Sequence, residues 1–179
     1  MITYNGKKFK RFISNQKIKK IVKKVCSDIN AHYGNKEEII ILCVLNGSLM
    51  LVSEMVNHLT VKYKLDYIQL SSYKGGTSST GKIDIIQDIA LNPKNKKILI
   101  IEDIVDSGTT LKYLIDKFNL MGCKSVRVFS LLFKPTKYKY SNKIDWYGID
   151  IEDIFVIGYG MDYDFKFRGL LDIYYMLEN

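Results

Sequence analysis

The chain has 179 residues, 47% hydrophobic and 26% charged, which is enough to bury a core and too apolar for a disordered polypeptide. Its three cysteines (Cys26, Cys43, Cys123) and two histidines include no Cys-x-x-Cys, so the expectation is reduced core thiols of a cytoplasmic protein, with neither a zinc site nor a disulfide framework. The net charge of +8 would suit a polyanionic partner, but Lys17, Lys19, Lys20, Lys23 and Lys24 read as the solvated face of a helix, and no nucleic-acid module stands out. Met1 to Lys8 lacks the apolar core of a signal peptide, and the longest apolar run, Ile39 to Leu45, is too short to span a bilayer. A soluble protein with no membrane partner is expected.

In chain order, residues 1–13 are basic with scattered apolar positions and suit an extended edge. From Asn15, residues Ile18, Ile21, Val22, Val25 and Ile29 recur on one helical face, and Gly34 ends the pattern. Ile39 to Leu45 reads as a strand buried on both sides. Asn46-Gly47-Ser48 turns into a helix carrying Leu49, Val52, Val56 and Leu59, and a second strand follows from about Leu65 to Ser72. Strands alternating with amphipathic helices predict an α/β parallel sheet.

Tyr73 to Lys82 is rich in glycine and hydroxyl residues. Gly76 to Lys82 satisfies Gly-x-x-x-x-Gly-Lys, but Ile83 stands where a nucleotide-binding loop needs Ser or Thr. The alternating Ile83 to Ile89 also predicts a strand rather than a helix. An ATPase is therefore excluded, and the segment is either a mobile loop or a plain hairpin linker.

The most informative stretch is Lys97 to Leu111. Ile98 to Ile101 is a short, β-branched apolar run, and Glu102 and Asp103 follow where such a strand would emerge. Asp106-Ser107-Gly108-Thr109-Thr110 is a small polar turn, and Leu111, Leu114, Ile115 and Phe118 then open a helix. The free N–H groups of a first helical turn form an anion cradle, with hydroxyl donors beside it. The acids make sense if the ligand carries a phosphate at one end and a hydroxylated, cation-forming centre at the other. Read blandly, Asp106 or Ser107 is only a helix N-cap, which leaves Glu102 and Asp103 unexplained. Gly122 ends the helix, Ser125 to Phe133 is a strand closed by Lys134-Pro135, Tyr138 to Gly148 is a polar, aromatic connection, and Ile154 to Gly158 is a further short strand. Gly160 to Arg168 is aromatic and charged, without a period. No repeat or linker divides the chain, so residues 1–179 are expected to form one domain.

Ile-Ile-Glu-Asp-Ile-Val-Asp-Ser-Gly-Thr-Thr, residues 100–110, resembles the phosphoribosyl-diphosphate (PRPP) motif of the type I phosphoribosyltransferases. The resemblance implies their twisted parallel sheet flanked by helices, with a small hood built from the chain termini and a flexible loop. It extends over roughly residues 10–175 and is strongest at 98–111 and 154–168. It places Ser72-Tyr73 at the start of the flexible loop that closes over the site. Within the family, three later features resemble the hypoxanthine (6-oxopurine) enzymes. Lys134 matches the lysine that donates to the purine 6-oxo group, an ammonium being able to donate but never accept. Phe155 and Val156 match the stacking aromatic and the residue whose backbone reads the base edge. Asp162 and Arg168 match the magnesium-side acid, which also borders the base, and the pyrophosphate-binding arginine. Taken singly, Lys134 could be solvated, Phe155 a core residue, and Arg168 the partner of a surface acid; five matches in order favour the site.

The resemblance further implies Mg²⁺ with Glu102, Asp103 and Asp162 as its acidic neighbours, and ribose hydroxyls on Glu102 and Asp103. It puts the 5′-phosphate on Asp106, Ser107, Gly108, Thr109 and Thr110, and the pyrophosphate on Leu45, Asn46, Gly47 and Arg168. Asp106 is the expected general base. Asn46 departs from the Lys or Arg of many relatives, and the Leu45–Asn46 peptide can be cis in them. The implied reaction moves the phosphoribosyl group to N9 of hypoxanthine or guanine, in a homodimer or homotetramer. The alternatives are a phosphoribosyltransferase for xanthine or another base, or a non-catalytic RNA-binding regulator on the same fold.

Overall fold

The structure is a computed structural model that describes residues 1–72 and 83–177. Helix α1 (Asn15–Tyr33) follows strands β1 (Ile2–Tyr4) and β2 (Lys7–Ile13), and its amphipathic spacing buries Ile18, Val22, Val25, Cys26 and Ile29. Ser14 caps it, its hydroxyl accepting from the Lys17 N–H at 3.4 Å, and Gly34 at φ 59° lets the chain leave the helix. Lys17, Lys19, Lys20, Lys23 and Lys24 are all exposed, as a solvated face requires.

The main sheet has six strands in the order β5-β4-β3-β6-β7-β8: β3 (Ile39–Leu45), β4 (Tyr63–Ser72), β5 (Ile83–Gln87), β6 (Lys97–Val105), β7 (Ser125–Phe133) and β8 (Trp146–Asp150). All neighbours run parallel except the β4–β5 pair at one edge. In β3, Ile39, Ile41 and Cys43 face a core shared with α1 and α2 (Leu49–Met55), while Ile40, Leu42 and Val44 face the core under α3 (Thr109–Leu120). The period-2 alternation thus feeds two cores, which is why the strand reads as a continuous apolar run. Leu111, Leu114 and Phe118 of α3 are buried against the sheet, each contributing about 1.5–3 kcal/mol of transfer free energy. Among the described residues, no helix is long and apolar enough to cross a membrane.

A second, antiparallel sheet in the order β1-β2-β10-β9 sits over the carboxyl ends of the parallel strands, with β9 spanning Val156–Ile157 and β10 Ile173–Met176. It is the expected hood in so far as it joins the two chain ends; the loop expected to contribute lies outside the described residues.

Several boundaries differ from the sequence expectation. Helix α2 stops at Met55, with Val56 as its C-cap, instead of running on to Leu59. Strand β9 is shorter than Ile154 to Gly158, because Gly158 at φ 94° and Tyr159 at φ 51° turn the chain sharply. Strand β8 begins inside the stretch read as a connection, at Trp146, and runs two residues beyond it. It is a half-buried edge strand with no clean alternation, and its interior Gly148 has no room for a side chain against the Leu131 carbonyl. Cys26 and Cys43 are buried free thiols, whereas Cys123 is only half-buried, just beyond the end of α3.

Candidate active site

Three parallel strands deliver their following loops to one cleft: β3 leads into Asn46–Ser48, β6 into Asp106–Gly108, and β7 into Lys134. A crevice at the carboxyl ends of parallel strands is the usual ligand position in an α/β sheet. Leu45, Gly47, Ser71, Glu102, Asp103 and the run Asp106 to Leu111 line one part of this cleft, about 250 Å³ in volume. An adjoining part of similar size is bounded by Asp106, Lys134, Phe155, Val156, Asp162 and Arg168.

The first part is an anion site beside two acids, Glu102 buried and Asp103 half-buried. Gly108 holds the N-cap position of α3 at φ 82°, and an added Cβ would overlap the Tyr138 ring, so glycine alone fits there. This displaces the reading of Asp106 or Ser107 as the cap. Gly108 brings no capping side chain, and the first turn of α3 carries no acid, so its N–H groups beyond that of Thr109 remain available to an anion. Ser107 Oγ lies 3.1 Å from Thr109 Oγ1 and accepts from the Thr109 N–H at 3.4 Å. Tyr140 reaches the same threonine hydroxyl at 3.4 Å, and the Lys139 N–H donates to the Ser107 carbonyl at 3.2 Å, so the residues after β7 buttress the turn.

Glu102 is buried at 6% exposure. Burial, with the nearby Asp103 charge adding to it, pushes its carboxyl well above the ordinary range. Burial likewise raises Asp103 to about 6, against the opposing pull of the Ile104 and Asp103 N–H groups and of Arg168. Among the described residues, neither acid forms an ion pair, although the Arg168 charge acts on Asp103, so both can serve a positive or hydrogen-bond-donating ligand. Among the described residues, no three His, Cys, Asp or Glu side chains stand together as a metal cage.

The turn after β3 touches this acid directly. The Leu45–Asn46 peptide is cis. An added Cβ on Gly47 would overlap the Asp103 carboxylate, and one on Gly160 would overlap the Gly47 carbonyl. The Asp103 side chain, the Gly47 turn and the Gly160 turn are therefore stacked in contact, and the hood and sheet meet there through backbone. The Asn46 carboxamide oxygen accepts from Gln69 Nε2 at 3.5 Å, and its side chain brings no charge.

The second part contains the residues expected to meet a base. Lys134 is buried, not solvated: its Nζ donates to Asp106 Oδ2 at 3.3 Å and to Asp153 Oδ1 at 3.0 Å. Phe155 is 44% exposed at the cavity, so it is not a core residue, while Val156 is buried in β9 behind it. Arg168 is paired with an acid, but with Asp162 of the same cavity and not with a surface acid. Its Nη2 lies 2.7 Å from Asp162 Oδ1, and its Nη1 donates to the Gly160 carbonyl at 2.7 Å. Asp162 Oδ2 also accepts from the Phe165 N–H at 2.8 Å.

All the expected site residues in the described chain except Ser72 therefore lie around the cleft or in the turns that form it. Ser72 ends β4, whereas Tyr73 and the loop through Lys82 lie outside the described residues. Sequence reasoning missed Lys137 and Asp153, which pair with Lys134 and Asp106. The only available signal was their nearness in the chain to Lys134 and Phe155.

The chain matches the model of the phosphoribosyl transferase domain over residues 10–164. It is 37% identical over 161 residues to a hypoxanthine-guanine phosphoribosyltransferase of Bacillus subtilis, covering 90% of this chain and 89% of that protein. A Staphylococcus aureus protein of the same name is 34% identical over 158 residues, 88% of each chain. Among solved structures, a Bacillus anthracis hypoxanthine-guanine phosphoribosyltransferase superposes with a TM-score of 0.89 at 33% identity, covering 95% of this chain and 100% of that one. A Trypanosoma cruzi hypoxanthine phosphoribosyl transferase gives 0.88 at 28% identity over 99% and 95%. Anion cradle, buried acids and hood agree with these similarities: the chain belongs to the phosphoribosyltransferase family.

Proposed function

We propose that this protein transfers the 5-phosphoribosyl group of PRPP to N9 of hypoxanthine or guanine, giving IMP or GMP and pyrophosphate, a purine-salvage reaction. The observation that carries the base assignment is the buried Lys134 ammonium, set in one cavity with Phe155, Val156 and Asp106. A donor that cannot accept favours a 6-oxo group over a 6-amino group. The similarity to enzymes named hypoxanthine-guanine phosphoribosyltransferase supports the same choice.

PRPP lies with its 5′-phosphate on the N–H groups and hydroxyls of Asp106 to Thr110, where the α3 dipole favours negative charge. Glu102 and Asp103 accept from the ribose 2′ and 3′ hydroxyls. The purine stacks on Phe155, its edge against the Val156 backbone and Asp162, with its oxo group on Lys134. N9 attacks C1′ from the face opposite pyrophosphate, so the configuration inverts. Positive charge grows on the ribose as the C1′–O bond breaks, and the acids beneath stabilise it. Asp106 takes the ring proton near N7. The Leu45-Asn46-Gly47 backbone and Arg168 hold the departing pyrophosphate, for which Arg168 exchanges its bond to Asp162.

The donor set fits Mg²⁺, a hard cation that takes one or two carboxylates and completes its shell with water and substrate oxygens. Glu102, Asp103 and Asp162 supply such oxygens without forming a closed cage. When bound, the ion neutralises charge on the leaving pyrophosphate.

We further assign residues 1–179 to one phosphoribosyltransferase domain, supported by the span of the family match and by a hood drawn from both chain ends. Residence in the cytoplasm and assembly as a homodimer or homotetramer complete the proposal. The test is a spectrophotometric assay with PRPP and Mg²⁺, comparing hypoxanthine, guanine, xanthine and uracil. Magnesium-dependent turnover of hypoxanthine or guanine is expected. Turnover of xanthine or uracil alone would reassign the base, and none with any base, joined by salt-dependent RNA binding, would make the protein a regulator.

A further inference from the structure

Four charges from three separate segments meet at the side of the purine cavity. Lys134 Nζ lies 3.3 Å from Asp106 Oδ2 and 3.0 Å from Asp153 Oδ1. Lys137 Nζ lies 3.3 Å from Asp106 Oδ1 and 3.1 Å from Asp153 Oδ1. Each ammonium is thus shared by both carboxylates. All four residues line a further hollow with Ile154, Phe155 and Tyr175.

The two lysines are not equivalent. The Lys134 side chain is 7% exposed and faces the cavity, whereas that of Lys137 is 40% exposed and lies outside it. When a purine 6-oxo group accepts a hydrogen bond from Lys134 and the ring presents its own proton to Asp106, the contact between Lys134 and Asp106 Oδ2 has to open. A half-buried carboxylate that loses its only cation pays a desolvation penalty. Asp106 does not lose its only cation, because Lys137 Nζ stays 3.3 Å from the other oxygen, an ion pair although that oxygen accepts no hydrogen bond. Asp153 performs the matching service for Lys134, keeping a counter-charge on the ammonium and screening the two lysines from each other. Among the described residues, the remaining charged groups of the cavity are Asp103, Asp162 and Arg168, and Arg168 is paired with Asp162.

We propose that Lys137 is a positioning residue: by holding Asp106 through Oδ1 and sharing Asp153, it lets Lys134 exchange Asp106 Oδ2 for the purine oxo group without leaving either charge unpaired. This rests on the purine reading above and deepens it, since Lys137 itself touches no substrate.

The experiment is steady-state kinetics of the full chain and its variants Lys137→Met and Lys137→Arg, varying hypoxanthine and PRPP separately, with thermal melting of each. Lys137→Met raises KM for hypoxanthine and lowers kcat, reducing kcat/KM for the purine about tenfold, a modest effect suited to a half-exposed charge acting through the general base. KM for PRPP and the melting temperature stay as in the wild type, and Lys137→Arg recovers most of the loss. Asp153→Asn, which removes the shared acid, shows the same pattern. A Lys137→Met enzyme equal to the wild type overturns the inference, as does an arginine variant no better than methionine, or a loss confined to the KM for PRPP. An active wild type indifferent to Lys137 removes this inference alone, whereas a wild type without purine turnover removes the functional reading and the inference together.

Discussion

Asp103 shows how a single residue can oppose folding while serving a ligand. Its carboxyl, raised to about 6 by burial, takes up a proton in the native state at a pH where the unfolded chain, with an ordinary value of 3.8, is still ionised. Between those values the folded protein binds more protons than the unfolded one, so this group's contribution to stability increases as pH falls through the window and is lost above about 6. Glu102, shifted in the same direction, adds to the effect. Asp103→Asn should therefore be more stable than the wild type at pH 7, by roughly 1–3 kcal/mol, while losing PRPP affinity. Urea denaturation at pH 7 and pH 5 checks this: the gain should shrink at the lower pH, and a variant less stable than the wild type at pH 7 would refute it.

The turn between β6 and α3 shows what an element demands of its residues. Gly108 has φ 82° and lies against the Tyr138 ring, whose hydroxyl donates to the Asn142 carbonyl at 2.7 Å. Gly108→Ala should cost about 1–3 kcal/mol of stability from backbone strain and overlap together, and it should weaken PRPP binding by moving the N–H groups of the first turn. Adding Tyr138→Ala should restore part of the loss by relieving the overlap, but not all of it, because the backbone strain stays. Calorimetric melting and PRPP titration of the single and double variants would show it; a double variant no better than the sum of the two singles would exclude the overlap. The same element explains why this region was legible. The apolar run, the acids, the glycine and the hydroxyls are contiguous, and each is selected by local geometry: two-sided burial, a positive φ, or a free helix terminus.

At the scale of the molecule, the hood is tied to the sheet layer by few polar contacts. Asp172, just before β10, accepts from the Asn15 N–H at the start of α1 at 2.7 Å, and its other oxygen lies 3.8 Å from Arg11. Asp172→Ala removes a partner from the positive end of α1 and should lower stability by about 1–2 kcal/mol. Chemical denaturation measures that loss; an unchanged midpoint would mean that solvent replaces the bond at no cost. The hood was also the part least legible in the sequence. Strand β10 pairs with β2 from the opposite end of the chain, and β8 pairs at an edge where burial is partial, so neither displays a period of its own.

By itself, the sequence determined the parallel sheet with its strands other than β8 and its helices, the anion cradle at Asp106 to Thr110, and the pair of acids before it. These depend on periodicity and on side-chain chemistry within a dozen residues, which the chain carries wherever it folds. Only the tertiary structure decided that Lys134 would be buried between two carboxylates, that Lys137 and Asp153 would join it, and that Gly160 would rest on Gly47 and Gly47 on Asp103. Those contacts join segments far apart in the chain, and no local pattern records them. They arise when the strand ends and the hood close on one another and bring Lys134 out of water.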